Sequence, residues 1–340
     1  MLNDYIRGRD NNLDILRFLI ATWVVYVHSF PLSGTDYMSE RLRVMTFFII
    51  SGFFITLSLM RNSNLFNFFK SRIIRLYPGL IFIVIFTIFL LGPLVSSMNV
   101  TDYFLHPETY RYFKVLFIKG LEGHSLPGAF ENNIYPNTVN GSLWTIYYEV
   151  IFYIGIAGLS LLGLLTKRIM LLLFMLSFIL FFIPITSGKL LIELFIFFSI
   201  GSVFYLYRNR IPINIGLALI ALVSLLICWK LEFFVHGYAL FGSYLVIFLI
   251  FYKKINIPFS TQLGNYSYSL FLFGFPIQQT VTHFYGGSMN PLTNFLISFP
   301  IALVFSMISW NFIEKHFIKY KNKPLNKKTK TIKSMKAANQ

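Results

Sequence analysis

The chain has 340 residues, 56% of them hydrophobic and only 12% charged, with 40 Phe and 20 Tyr, and a mean hydropathy of +0.66. Apolar runs from end to end exclude an ordinary soluble domain and mark a polytopic membrane protein. The net charge of +16 lies mainly in short loops and the final segment, so it is a topology signal and does not point to nucleic acid; one cysteine, Cys228, excludes an intrachain disulfide and a cysteine-based zinc site.

The first apolar run, Asn12 to Phe30, carries Asp14, Arg17 and His28. It lacks a small-residue cleavage pattern and is expected to remain as the first span. Eleven residues turn an α-helix about three full turns plus 20°, so Arg17 and His28 share one face about 16 Å apart. Asp14 stands three residues before Arg17, a spacing that lets them pair. Ionisable groups in hydrocarbon point by default to a polar cavity. The alternative places Asp14 and Arg17 at the headgroups and leaves His28 bonding a neighbouring helix.

Hydropathy predicts an all-α bundle of about ten transmembrane helices, near 13–33, 43–60, 76–97, 141–163, 169–187, 190–207, 213–230, 238–252, 264–285 and 293–313. With both termini cytoplasmic, every inner segment is basic: Arg7 and Arg9, Arg61 through Arg75, Lys167 and Arg168, Arg208 and Arg210, Lys253 and Lys254, and the lysines from Lys315 onward. Arg41, Arg43, Arg111, Lys114, Lys119, Lys189 and Lys230 then fall outside. Residues 1–318 form the expected membrane domain and 319–340 a lysine-rich inner tail expected to be disordered. The one long connection, 98–140, is expected outside, as a lid or binding loop or as a solvated connector.

Arg72 and Arg75 stand three residues apart at the start of the third span, with Lys70 close by. Guanidinium groups grip phosphate oxygens in two places; headgroup contact is the alternative. In the fourth span Glu149 lies seven residues past Ser142 and four past Thr145, on one helical face. A carboxyl so far into an apolar span is expected to be paired or protonated. The small and polar residues from Gly264 to Pro276 allow close helix approach. Ionisable groups within the spans are expected to concentrate in the first and fourth. No fixed-period repeat, Walker loop, dinucleotide fingerprint or HExxH stands in the chain.

Arg17 and His28 with ten residues between them, at the head of a span written LDILRFLIA, resemble the signature of the acyltransferase-3 family of integral membrane acyltransferases. The resemblance continues in FFIISGFFI (47–55), KSRIIRLYP (70–78), SLWTIYYEVIFY (142–153), GNYSYSLFLFGFP (264–276) and WNFIEKHF (310–317). It implies transfer of an acyl group, usually acetyl, from cytoplasmic acetyl-CoA to a hydroxyl of a cell-surface or lipid-linked carbohydrate. A stand-alone chain of this kind resembles O-antigen or exopolysaccharide O-acetyltransferases of the bacterial inner membrane. Under it Arg17, Arg72 and Arg75 hold coenzyme A phosphates and His28 is the general base, or forms an acyl-histidine. Asp14 orients Arg17 or tunes it electrostatically, Glu149 orients His28 or the acceptor hydroxyl, and Ser142 and Thr145 support them. Tyr103, Tyr110, Tyr112 and Tyr135 are available to stack on sugar faces. No metal is implied, membrane lipids are the surrounding partner, and oligomeric state stays open. The alternatives are an O-succinyltransferase of the same family, a transporter or flippase, and a non-catalytic subunit of a polysaccharide machine.

Overall fold

The protein is described by a computed structural model covering residues 1–6, 11–36, 41–61, 64–117, 125–183, 188–253 and 255–320. Every regular element among these is helical, apart from a single antiparallel bridge between Ser96 and Ala129. The architecture is carried by α1 (Leu13–His28), α2 (Leu42–Arg61), α3 (Leu65–Val95), α4 (Trp144–Leu161), α5 (Lys167–Leu180), α6 (Lys189–Leu206), α7 (Ile215–Lys230), α8 (Phe234–Phe251), α9 (Ser260–Tyr285) and α10 (Pro291–Ile318). Each expected span falls on one of them.

Length and composition qualify seven of these to cross a membrane: α1 (with the turn that follows it), α2, α3, α4, α6, α8 and α10. Of the others, α5 has 14 residues and α7 has 16, while α9 has 26 but is studded with Asn, Gln, Ser and Thr. The chain is therefore a multi-pass membrane protein with at least part of its expected span count met on this measure. Outward residues support lipid contact: Leu172, Leu176 and Ile179 of α5 and Leu219, Ile220 and Val223 of α7 are all exposed. Arg7, Arg9, Lys119, Lys254 and residues 321–340, used in the topology reading, lie outside the described residues.

One boundary differs in a way that matters. Hydropathy places the third span from 76, whereas α3 begins at Leu65, where the Asn64 side chain accepts from the Asn67 amide and caps the first turn. Arg72 and Arg75 consequently sit two to three turns inside a continuous helix. It runs through Pro78 and a π-helical turn at Thr87–Leu91.

The two tightest packings set the frame: α1 lies along α9 and α2 along α6. At the second, backbones touch. A Cβ on Gly52 would stand 1.9 Å from the Phe198 carbonyl oxygen, and one on Gly201 would stand 2.1 Å from that of Ile49. Neither neighbour is a side-chain tip that can swing aside, so small residues are required here. Gly52→Ala is expected to cost about 1–3 kcal/mol or more, the usual range for overpacking. The check is the melting temperature of the detergent-solubilised protein beside Gly155→Ala, because a Cβ on Gly155 meets nothing within 4 Å; equal melting of the two variants would contradict the close packing.

Two apolar cores result. One gathers Phe48, Ile49 and Phe53 of α2 with Phe197 and Phe198 of α6 and Ile247 of α8. The other joins Val25 of α1, Ile83 and Ile88 of α3, Leu143 and Ile146 around the start of α4, and Leu270 and Phe273 of α9.

Within 98–140 the described residues form short helical turns, Val100–Leu105, Pro107–Arg111 and Tyr112–Leu116. The end of this connection is tied to α9. Asn133 Nδ2 donates to the Gln279 carbonyl and side-chain oxygens at 3.0 and 2.8 Å, and Gln279 Nε2 donates to the Tyr135 and Thr138 carbonyls at 2.7 and 2.9 Å. Asn140 Nδ2 donates to the Leu272 carbonyl at 2.9 Å. Five side-chain hydrogen bonds to one helix hold the segment as a fixed cap at this end.

Candidate active site

A cavity opens where the two cores meet, bounded by α1, α2, α3, α4 and α9. Its empty space, counting the open mouth, is about 1180 Å³. Arg17, His28, Arg72 and Arg75 line it, and so do Ser142, Thr145 and Glu149. Spacing along α1 alone puts Arg17 and His28 on one face; folding brings the third, fourth and ninth helices to that same face.

The arginines gather at one end. Arg17 Cζ lies 5.9 Å from the Phe54 ring centroid, and Arg72 Cζ lies 5.9 Å from both Phe68 and Tyr153, so aromatic faces support the guanidinium groups. Arg17 interacts with Arg75 and Arg72 as like charges. Glu149 faces all three arginines, and its carboxylate takes a hydrogen bond from the Tyr153 hydroxyl. Glu149 stands in the second turn of α4 and meets the arginines there.

Asp14 acts on Arg17 electrostatically and not through the ion pair that its spacing allows; the two make no ion pair among the described residues. Asp14 packs against Gly264 of α9, whose Cβ, if present, would lie 2.5 Å from the Asp14 Cβ. Its position is set by helix packing, and it does not line the cavity.

His28 closes α1 at the other end of the cavity, its ring edge-on to Phe275 with centroids 5.4 Å apart. Gly141 abuts the same Phe275 ring, so Ser142 enters the cavity near this end. His28 Nδ1, Ser142 Oγ and Ser51 Oγ are buried with no hydrogen-bond partner. Buried polar atoms without partners are costly, and three around one cavity describe a site shaped for polar groups of a ligand. Arg43, 6% exposed, also lines the cavity and is the charged group that acts on His28. Among the described residues no group of three or more His, Cys, Asp or Glu side chains is gathered for a metal ion.

Comparison with known protein families matches residues 10–311, nearly the whole chain, to the acyltransferase-3 family, described as an acyltransferase domain. The chain belongs to this family. It is 27% identical over 342 residues to the O-acetyl transferase of Shigella phage Sf6, covering 91% of this chain and 96% of that one. It is 31% identical over 170 residues to nodulation protein 10 of Rhizobium leguminosarum bv. viciae, covering 45% of this chain and 44% of that one. No solved structure matches. The protein is therefore a membrane acyltransferase, and the cavity is the place in it where ionisable groups and unpartnered polar atoms converge.

Several cavity residues of this acyltransferase escape a reading of the sequence. Arg43 reads as an outer flanking charge because it is the second residue of α2; only the fold turns it inward. Tyr153 and Tyr268 are two among 20 tyrosines. Buried charge is also not confined to the first and fourth spans: Glu193 of α6 is 1% exposed and paired with Arg41 at 2.8 Å, and Glu314 of α10 is 1% exposed. Of the tyrosines available for a sugar, Tyr103 and Tyr112 are buried. The Tyr103 hydroxyl donates to the Ile88 carbonyl at 2.9 Å, and burial pushes its phenol above the ordinary range. Tyr110 and Tyr135 remain exposed.

Proposed function

We propose that this acyltransferase moves an acetyl group from acetyl-CoA, bound from the cytoplasmic side, to a hydroxyl of a cell-surface or lipid-linked carbohydrate such as O-antigen or exopolysaccharide. The observation that carries this reading is the polarity of one cavity: three guanidinium groups at one end and a histidine with an unpartnered ring nitrogen at the other. The similarity to an O-acetyl transferase along nearly its whole length supports the choice of acetyl over succinyl. Residues 1–318 act as the membrane acyltransferase domain, in the bacterial inner membrane with both termini cytoplasmic.

Arg17, Arg72 and Arg75 hold the coenzyme A phosphates, where planar forks match phosphate oxygens. The pantetheine arm spans the roughly 16 Å to His28. His28 takes the proton of the acceptor hydroxyl as its oxygen bonds to the thioester carbonyl carbon. The carbon–sulfur bond then breaks, and the imidazolium returns the proton to the leaving thiolate, giving the O-acetyl ester and free coenzyme A. Arg43, beside His28, stabilises the negative charge that develops on the carbonyl oxygen. Glu149 and Tyr153 keep the arginines in place. Tyr110 and Tyr135 meet the carbohydrate.

The test supplies labelled acetyl-CoA to membranes containing the wild-type chain or Arg43→Gln. Wild type is expected to place label in polysaccharide, and the variant to lose about 10²–10³-fold in turnover, the usual loss of one oxyanion donor. Movement of carbohydrate without acetylated product would favour a transporter. Full activity in Arg43→Gln would remove it from the chemistry.

A further inference from the structure

The WNFIEKHF stretch of α10 lies outside the cavity lining, yet it buries a carboxylate. From Ser309 to Glu314 the helix widens into a π-helical turn, a rare local insertion found often at functional sites. Oε1 of Glu314 accepts from Ser309 Oγ at 2.7 Å and from Ser269 Oγ of α9, while Oε2 has no hydrogen-bond partner. Gly79 makes room for it on α3: a Cβ there would come within 3.3 Å of Glu314 Cδ and 3.0 Å of Tyr268 Cε1. Gly79 stands one helical turn past Arg75, on the same face. Tyr268 completes the contact, lining the cavity and donating from its hydroxyl to the Leu76 carbonyl at 2.8 Å.

Glu314 interacts electrostatically with Arg75 and with Tyr268. A buried carboxylate with an unpartnered oxygen is costly unless a cation answers it. Three like-charged guanidinium groups sharing one cavity carry the opposite cost. Glu149 faces all three, and Glu314, packed against Gly79 one turn beyond Arg75, adds a second carboxylate outside the cavity lining that acts on Arg75 at longer range, with no ion pair between the two among the described residues.

We propose that Glu314, seated against Gly79 one turn beyond Arg75, is a positioning residue whose charge draws the Arg75 guanidinium to the donor end of the cavity, so that the anion site is set before acetyl-CoA arrives. This rests on the donor-site reading given above. Gln in place of Glu keeps an acceptor oxygen for the two serine hydroxyls and removes only the charge.

The experiment measures acetyl-CoA binding and steady-state transfer for purified wild type, Glu314→Gln, Glu314→Asp, Arg75→Ala and the Glu314→Gln/Arg75→Ala pair. Glu314→Gln is expected to weaken acetyl-CoA binding and raise its KM about tenfold with kcat unchanged, because the reacting end at His28 is distant. Glu314→Asp is expected to restore part of the affinity. Adding Glu314→Gln to Arg75→Ala is expected to cost nothing further, since a residue acting through another has no separate effect once that other is removed. Equal binding by wild type and Glu314→Gln would overturn the inference and leave the donor reading intact, as would a loss of kcat alone or additive effects in the pair. Absence of acetyl-CoA binding by the wild type would overturn both.

Discussion

Replacing Arg72 and Arg75 together with alanine is expected to weaken acetyl-CoA binding by about 10²–10⁴-fold. Hydrogen bonds to charged groups contribute about 1.5–3 kcal/mol each, and each 1.4 kcal/mol is tenfold in affinity. Both side chains line the cavity, and Arg72 is further fixed by two aromatic rings and by its Nε donating to Ser71 Oγ at 3.2 Å. The loss therefore falls on groups already oriented, not on freely solvated charges. Equilibrium binding of acetyl-CoA beside Lys327→Ala/Lys328→Ala, a pair in the lysine-rich final segment that removes the same charge, is the measurement. Equal effects from the two would mean that the arginines act only through net charge.

His28→Ala is expected to lower turnover by about 10²–10⁴-fold, the range for a positioned general base, while acetyl-CoA binding is retained. His28 and the arginines occupy opposite ends of one cavity, and the ring nitrogen Nδ1 has no protein partner to hold it in another task. A change in KM with kcat preserved would make His28 part of the binding surface instead.

Much of the fold is legible in the sequence because hydrocarbon is a strict solvent. Backbone groups in it are satisfied within helices, so long apolar runs announce spans directly. The same logic fails at helix ends. The α3 start was hidden because hydropathy rises only after Arg75, whereas the Asn64 cap and the long stems of Arg72 and Arg75 carry the helix 11 residues further back. The first-span pair Arg17 and His28 is readable because helical period alone sets their relation. Glu149 is readable as a buried carboxyl, but its partners are not, since no period along α4 says which helix it meets. Arg43 and Glu314 show the limit most plainly: each looks like a charge at a span end, and only packing brings one into the cavity with His28 and buries the other against Gly79 and two serines. Asp14 fails in the opposite sense. Its spacing suits an ion pair with Arg17, but the close contact of α1 with Gly264 places it elsewhere.

The central claim is that one cavity joins a cytoplasmic donor to an acceptor through His28. Sealed membrane vesicles of opposite orientation test it most directly, with labelled acetyl-CoA supplied only outside and wild type compared with His28→Ala at matched levels. The account predicts labelled carbohydrate in inside-out vesicles of the wild type, and none in right-side-out vesicles or with His28→Ala. Label formed in right-side-out vesicles, or undiminished in His28→Ala, would contradict it.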